Sequence, residues 1–254
     1  LIQPAAGVLL SGIVMMLLSS FVFGLVFGSF LNVIIYRLKT RQNIIFGGSF
    51  CPECKNELKW RDLFPLLSFI FLRGRCRYCN KTISWQYPIV ELLSGFIWVF
   101  VWSLGFEFWN FIYYIFIFSA LLVIAIYDFK WKIIPDKIIY PAIAVALVYN
   151  FNIPSLFAAA IAFLFFFSIY FFSNGKAMGL GDAKLAILIG LFLSPAAALM
   201  AFITAFVIGA VSGIILIVFD KRTLKSQIAF GPFVVIGATI AFFFSDIIIK
   251  FFQP

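Results

Sequence analysis

The sequence predicts an all-α polytopic membrane protein, with about eight transmembrane helices and a small zinc-binding cytoplasmic insert. Three observations support this fold class. Of the 254 residues, 64% are hydrophobic and only 11% are charged. A soluble domain is usually about half apolar and a quarter charged, so much of this chain's surface must face lipid. A further observation is that all four cysteines lie in one polar stretch, residues 38–88.

Apolar runs of roughly the 20 residues needed to cross the hydrocarbon recur along the chain. They place about eight spans at residues 7–36, 89–104, 109–128, 135–150, 154–173, 183–194, 196–219 and 230–250. These spans predict two domains. Residues 1–104 hold the first two spans and the polar insert 38–88, and residues 105–254 form a second domain of six spans.

Basic residues mark one side of the predicted spans. The stretch from Arg37 to Lys81 holds 10 of the 19 Lys and Arg residues, and eight more fall in loops on the same side. Those eight are Lys130, Lys132, Lys137, Lys176, Lys184, Lys221, Arg222 and Lys225. Because cytoplasmic loops are enriched in Lys and Arg, we expect the insert to be cytoplasmic and both termini to lie outside.

The net charge of +9 is therefore a signal of membrane topology. Nucleic-acid binding would call for a basic stripe interleaved with exposed aromatic residues on a soluble fold, which this sequence does not carry. The partner that the composition does indicate is the lipid bilayer.

The insert contains two Cys-x-x-Cys pairs, Cys51 with Cys54 and Cys76 with Cys79, separated by 21 residues. Two such turns aim four thiolates at one metal ion, which is the pattern of a structural zinc site. A closed four-sulfur shell leaves no position for a substrate, so we predict that the zinc stabilises an insert too small to fold well alone. Two disulfides are the main alternative, although cytoplasmic thiols stay reduced. A redox-active pair fits two matching turns less well.

Two aspartates lie at span ends on the same membrane face. Asp128 ends the third span, and Asp182 opens the sixth, 54 positions later. Ionisable groups at a span are costly and indicate function by default. Two carboxyls held close share one proton, so one can act as general base and the other as general acid. The chain has no His, which excludes Ser-His-Asp, Cys-His and HExxH catalysis but leaves Ser-Lys catalysis open.

Neighbouring residues are predicted to support this pair. Gly179 and Gly181 allow close approach of the helix that carries Asp182. Asp136 is expected to cap a helix or to support the site. Glu91 either contacts a cationic substrate or is a satisfied interfacial carboxylate. In the alternative interpretation of the pair itself, Asp182 only caps its helix, and the other aspartate pairs with one of the two lysines that follow it.

The chain carries an ordered set of short motifs from its first span to residue 185. They are Gly28–Val33 with Arg37-Leu38, the two cysteine pairs, Pro65–Ser68, Arg73–Cys79, Ile83-Ser84, Tyr87–Leu92, Asp128 with Ile134–Asp136, and Gly179–Leu185. This set resembles the bacterial type IV prepilin peptidases, the leader peptidases of pilus, type II secretion and competence systems. The resemblance implies a GxGD-type aspartyl protease of the bacterial inner membrane, with Asp128 and Asp182 as its catalytic pair.

The resemblance also implies a substrate and a second activity. Family substrates, prepilins and pseudopilins, carry a short basic leader before a hydrophobic helix and are cut between Gly and usually Phe at the cytoplasmic face. Many members then N-methylate the new terminus with S-adenosylmethionine, in the zinc-bearing N-terminal half. Gly28 and Asn32 are carried over to the methyl-donor region. Lys39 stands where the family commonly has Pro, next to that region.

Three other functions compete with this interpretation. A presenilin-type or signal-peptide-peptidase-type GxGD protease fits the aspartate motifs, but the four-cysteine insert and the stretch 28–38 argue against it. A transporter would be expected to carry polar groups at mid-membrane and internal repeats, and the acids of this sequence cluster at one face instead. A non-catalytic assembly subunit would not need two facing aspartates.

Overall fold

The computed structural model describes residues 4–44, 47–219 and 228–252, with side chains described from residue 11 to residue 244 within those ranges. The described chain is helical, and its β pairing is limited to the isolated bridges Phe50–Glu57 and Arg75–Thr82. Its helices are α1 (Pro4–Thr40), α2 (Leu67–Phe71), α3 (Gln86–Ser103), α4 (Phe108–Trp131), α5 (Asp136–Tyr149), α6 (Ile153–Phe172), α7 (Leu180–Phe192), α8 (Pro195–Phe219) and α9 (Gly231–Phe252). A single 3₁₀ turn covers Trp60–Asp62. The predicted all-α class is confirmed.

Four of these helices are long and apolar enough to cross a membrane. They cover Ser11–Thr40, Phe108–Trp131, Ile153–Phe172 and Pro195–Phe219, and Gly231–Phe244 is a shorter apolar helix. The protein is therefore a multi-pass membrane protein. A helix lies at each of the eight predicted spans, but α7 has 13 residues, or about 20 Å at 1.5 Å per residue, against a hydrocarbon core of ~30 Å. That all eight cross the bilayer stays a prediction.

The orientation of the spans also stays a prediction. Three of the basic residues used for it, Lys221, Arg222 and Lys225, lie outside the described residues, as do the two ends of the chain.

The chain forms two compact units, residues 1–119 and residues 120–254. In the first unit α1 packs on α3, and small residues set how closely they approach. A Cβ atom added to Gly28 would lie 2.7 Å from the Cα atom of Glu91, and one added to Gly24 would lie 2.7 Å from the Cα atom of Gly95. No larger residue fits at such a crossing. The predicted division at residues 104 and 105 remains a proposal.

The second unit is built from helix pairs, α6 with α7, α8 with α9 and α5 with α7. Helix α7 is buried along most of its length, from Ala183 to Phe192. A Cβ atom on Gly190 would lie 2.5 Å from the Cα atom of Ala159, so α6 and α7 touch backbone to backbone. This packing fixes the body of α7 and with it the position of its first turn, which carries Asp182.

Candidate active site and metal centre

Asp128 lies in the last turn of α4, with its side chain turned into the second unit. The residue is 5% exposed, and its Oδ2 atom accepts a hydrogen bond of 2.9 Å from the backbone N–H of Gly231 at the start of α9. Neither Lys130 nor Lys132 forms an ion pair with it in the described part of the chain. A carboxylate this deeply buried needs compensation, and here the backbone of another helix supplies part of it.

Asp182 lies in the first turn of α7, a helix of 13 residues. Its Oδ2 atom accepts the N–H of Gly179 at 3.0 Å. Gly181 sits against the α4–α5 loop, because a Cβ atom there would lie 3.0 Å from the Cβ atom of Ile134. Both glycines of the motif thus have direct structural uses, one as a hydrogen-bond donor and the other as a close contact.

The negative charge of Asp128 acts on the pKa of Asp182. The pKa of Asp182 is raised from its ordinary value to about 6, first by burial and then by the negative charge of Asp128, while the hydrogen bond from Gly179 opposes the rise. Asp182 keeps partial solvent exposure. A like charge nearby disfavours ionisation of a carboxyl, so Asp182 keeps its proton to a higher pH than an isolated aspartate does.

Asp136 and Lys184 connect the starts of two helices in this unit. The Nζ atom of Lys184 lies 2.6 Å from Oδ1 of Asp136 at the start of α5, and 4.9 Å from the ring centre of Tyr140. This pair ties α5 to α7 two residues after Asp182. Sequence reasoning placed Asp136 in support of the site but missed Lys184, although its spacing from Asp182 could have suggested it.

The four cysteines of the insert form one cluster. Their sulfur atoms all lie within 4.8 Å of one another, and the Sγ atoms of Cys51 and Cys79 are 4.0 Å apart. A tetrahedral zinc with Zn–S bonds of about 2.3 Å places its sulfurs about 3.8 Å apart, so the four side chains fit this ion. The described residues offer no larger group of His, Cys, Asp and Glu that could hold a metal.

The two cysteine turns have the same backbone geometry. In each turn the carbonyl of the first cysteine accepts a hydrogen bond from the N–H of the residue four positions later. Lys55 donates to Cys51 at 2.9 Å, and Asn80 donates to Cys76 at 3.0 Å. Lys55 and Asn80 both adopt positive φ, 60° and 56°. This repeated turn presents two sulfurs on one side, which explains why the two pairs converge.

Gly28, Asn32 and Glu91 have packing and hydrogen-bonding roles where α1 meets α3. Asn32 is 1% exposed; its amide donates to the carbonyl of Tyr87 at 3.1 Å and accepts from Gln86 at 3.0 Å. Glu91 is 6% exposed and accepts the N–H of Leu66 at 2.9 Å. These contacts favour the alternative in which the Glu91 carboxylate has its hydrogen-bond partner within the protein and does not contact a substrate. A role for Gly28 and Asn32 in binding a methyl donor remains a prediction.

A cavity of about 470 Å³ lies near the end of α1, in the first unit. Its lining comprises Arg37, Gln42, Asn43, Gly47, Gly48, Phe50, Lys55 and Glu57. Arg37 is 5% exposed and donates to the carbonyls of Asn43, Ile44, Gly47 and Gly48, so its guanidinium joins the described residues on both sides of positions 45 and 46. Cavities of this volume hold small organic ligands.

Comparison with known proteins decides the family. A model of the bacterial peptidase A24 N-terminal domain matches residues 22–104, and a model of the type IV leader peptidase family matches residues 115–214. A prepilin leader peptidase/N-methyltransferase of Bacillus subtilis (strain 168) is 32% identical over 242 residues, which cover 91% of this chain and 96% of the relative. The chain belongs to the type IV leader peptidase family.

Two further relatives of this leader peptidase family carry the same name. The protein of Klebsiella pneumoniae is 35% identical over 189 residues, 68% of this chain and 83% of the relative. That of Stutzerimonas stutzeri is 28% identical over 263 residues, 90% and 91% of the two chains. No solved structure matches. The leader peptidase model covers Asp128 and Asp182, whereas Gly231 lies beyond its matched residues.

Proposed function

We propose that this chain is a membrane-embedded aspartyl endopeptidase that removes the basic leader from type IV prepilins and pseudopilins, with Asp128 and Asp182 as its catalytic pair. One observation supports the pair above all. The ends of α4 and α7 bring the two acids close enough for the charge of Asp128 to raise the pKa of Asp182. The substrate class is supported by the names of the relatives, which are prepilin leader peptidases.

The proposed reaction needs only the two carboxyls and a water molecule. Ionised Asp128 takes a proton from the water, whose oxygen attacks the scissile carbonyl carbon, while protonated Asp182 donates a hydrogen bond to the carbonyl oxygen. When the tetrahedral intermediate collapses, the C–N bond breaks and a carboxyl proton passes to the leaving amide nitrogen. The raised pKa of Asp182 supports giving it the proton in the resting pair.

We place this chemistry at the cytoplasmic face of the bacterial inner membrane, with both termini outside. Lys130 and Lys132 directly follow the Asp128 end of α4, as the enrichment of basic residues in cytoplasmic loops requires. The substrate's apolar helix would enter from the bilayer while its leader stays in the cytoplasm. Asp136 and Glu91 are two acids that could receive the basic leader. The Asp136 side chain is 60% exposed and therefore accessible, whereas Glu91 is buried.

We propose that Cys51, Cys54, Cys76 and Cys79 hold a structural zinc ion. The sulfur separations suit tetrahedral coordination, and four thiolates leave no open position for a substrate. Because the insert between α1 and α3 has a small core of its own, the bound metal would supply much of its folding free energy.

N-methyl transfer is the second proposed activity. It is favoured by the relatives' names and by the match to the N-terminal family model. S-adenosylmethionine, when bound, would supply the methyl group. Gly28 and Asn32 are the residues that the resemblance assigns to the donor region, and the cavity beside Arg37 is a second region of suitable volume.

Two conservative variants test the peptidase proposal. Asp128→Asn and Asp182→Asn should each abolish cleavage of a co-expressed prepilin in membranes, because each removes one half of the shared-proton pair. Expression and zinc content should stay unchanged. Glu107→Gln, at an exposed acid outside the pair, is the matched control and should cleave normally. Mass spectrometry of the pilin N-terminus reads the cut position and any added methyl group together, and retained cleavage in either Asp variant removes that residue from the mechanism.

A further inference from the structure

We infer that Gly231 is a positioning residue of the peptidase site, whose backbone N–H holds one oxygen of Asp128 and leaves the other for the reaction. The inference rests on the proposed function. The hydrogen bond of 2.9 Å is buried and joins residues 103 positions apart. A contact of this kind locks the last turn of α4 to the first turn of α9.

The beginning of α9 leaves this amide available. Pro232, the next residue, has no N–H, and the N–H groups of Phe233 and Val234 both donate to the carbonyl of Phe230, at 3.0 and 3.2 Å. The N–H of Gly231 is therefore the first-turn amide that can donate to a group outside α9. The start of a helix also carries partial positive charge, which stabilises a carboxylate placed against it.

Glycine is required at this position for reasons of space. A Cβ atom on Gly231 would lie 2.7 Å from Oδ2 of Asp128 and 3.2 Å from its Cγ atom. Real Cβ atoms do not approach neighbours that closely, so any side chain would push the carboxyl aside. A methyl group is enough to disturb the site while leaving the amide in place.

The two acids are held in the same way. The N–H of Gly179 donates to Oδ2 of Asp182 at 3.0 Å, as that of Gly231 does to Asp128. Because an amide N–H can only donate, both held oxygens act as acceptors. We assign the shared proton and the attacking water to the second oxygen of each carboxyl, which accepts neither of these N–H groups, so the two glycines would fix which atoms react.

Steady-state kinetics of the purified, reconstituted enzyme with a prepilin peptide test this inference. Gly231→Ala should lower kcat about 100-fold or more with KM changed less than about 3-fold, because the displaced carboxyl misaligns the reacting atoms. Gly213→Ala is the matched control, since its Cβ atom would meet its nearest neighbour at an ordinary 3.7 Å. It should leave kcat unchanged.

A second variant removes the N–H without adding atoms. Replacing Gly231 by glycolic acid puts an ester oxygen in place of the amide, and kcat should fall at least about 10-fold. Full kcat in the ester variant overturns the inference, as does a loss confined to KM. Asp128→Asn distinguishes failure of this inference from failure of the proposed function. If Asp128→Asn is inactive and the ester variant is active, only the role of Gly231 is wrong. If Asp128→Asn is active, the catalytic pair itself is wrong.

An independent observation in the first unit concerns a surface that we call the aromatic face. It consists of two groups that follow one another in sequence: Trp60 and Phe64, whose ring centres lie 5.6 Å apart, and Leu67, Ile70 and Phe71, whose spacing places them on one side of α2. These side chains are 48–81% exposed and lie outside the membrane-crossing helices. Large apolar side chains clustered on a polar insert mark an interaction surface. We propose that this face docks into an anionic lipid leaflet.

The charge around the aromatic face identifies the occupant. Lys59, Arg61, Arg73 and Arg75 flank these residues in the sequence and are exposed, and the guanidinium of Arg61 lies 5.2 Å from the ring centre of Trp60. Aromatic rings beside basic side chains are typical of segments that lie in the headgroup region and bind anionic lipid. The insert is tethered by α1 and α3, so docking does not incur the full entropic cost of association.

Site-specific photo-cross-linking in nanodiscs tests this docking. A benzophenone amino acid replaces Phe71, which is 81% exposed, and in the control it replaces Glu53, whose side chain is 60% exposed in the first cysteine turn. Position 71 should give lipid adducts that increase when phosphatidylglycerol is added to phosphatidylcholine, and position 53 should give few. Equal lipid yields at the two positions, or adducts at position 71 mainly to the peptidase helices, to a second copy or to substrate, overturn the proposal.

Discussion

Asp62→Asn should destabilise the insert, because the Asp62 carboxylate accepts hydrogen bonds that an amide side chain cannot accept together. The Asp62 side chain is 4% exposed. Its Oδ1 atom accepts from Nε of Arg77 at 2.7 Å, and its Oδ2 atom accepts from the N–H of Lys59 at 3.2 Å and from the hydroxyl of Tyr78 at 3.1 Å. These bonds join the 3₁₀ turn to the second cysteine pair.

The expected cost follows from counting donors. An asparagine has one acceptor oxygen, so its NH₂ group must face either the Lys59 N–H or the Arg77 Nε–H, while the Tyr78 hydroxyl can rotate. One unsatisfied donor costs about 1–3 kcal/mol, and the charge lost against Arg77 adds little because Arg77 is 51% exposed. We expect about 2 kcal/mol, which is about 30-fold in a local opening equilibrium.

Hydrogen–deuterium exchange measures this opening directly. Peptides covering residues 59–63 and 75–83 should exchange about 30-fold faster in Asp62→Asn at neutral pH. Glu53→Gln is the control, because its 4.0 Å pair with Lys81 is exposed on both sides and should be worth less than about 1 kcal/mol. Equal exchange in the two variants would refute the reasoning. Since the pKa of Asp62 is lowered, its contribution is present above about pH 4 and is lost as pH falls through the lower folded value.

Three further predictions concern the pair, the core and the metal. The pKa of Asp182 is raised to about 6, so we expect cleavage below that pH, where Asp182 is protonated, and a loss of cleavage as the pH rises through it. If kcat/KM instead falls from about pH 4, the ordinary pKa of an aspartate, the assignment of the proton to Asp182 is wrong. Gly190→Ala should destabilise the second unit by about 1–3 kcal/mol through overpacking, because its Cβ atom would lie 2.5 Å from the Cα atom of Ala159; thermal aggregation in detergent measures this, and a melting temperature equal to that of Gly213→Ala counts against it. Cys54→Ser should lower bound zinc well below one ion per chain in elemental analysis, since three sulfurs no longer close the shell, and full zinc in that variant would point to other ligands.

Much of the architecture could be predicted because lipid imposes a simple rule on sequence. Every predicted span has a helix at its place, since apolar runs have few other options in a bilayer. Helix ends were less accurate. The first span was predicted to end at residue 36, but α1 continues to Thr40. A charge pattern alone predicts that Arg37 is exposed to solvent, whereas in the structure it is buried and donates to carbonyls of the following loop.

The candidate site was predictable as far as its residues are chemically unusual. Two aspartates at span ends and four paired cysteines stand out in a chain with few charges. The structure brings the four sulfur atoms together, and the charge of Asp128 raises the pKa of Asp182, while the catalytic role of the two aspartates stays a prediction. Gly231 could not be found in the same way, because its backbone rather than its side chain makes the contact. A Gly-Pro at a helix start signals only a helix beginning, and nothing local indicates that the amide faces a residue 103 positions earlier.

The site also shows how a chain without histidine can keep two acids in apolar surroundings. A metal or an imidazolium would be the usual source of compensating charge, but here backbone N–H groups at the starts of α7 and α9 reach the two carboxyls. Helix starts supply donors and partial positive charge that do not titrate, so they stabilise a carboxylate without competing for the proton that the proposed pair would share. Because α7 is held by buried packing, with Gly190 near its end against α6, the oxygens of the proposed catalytic pair would be aimed before a substrate arrives.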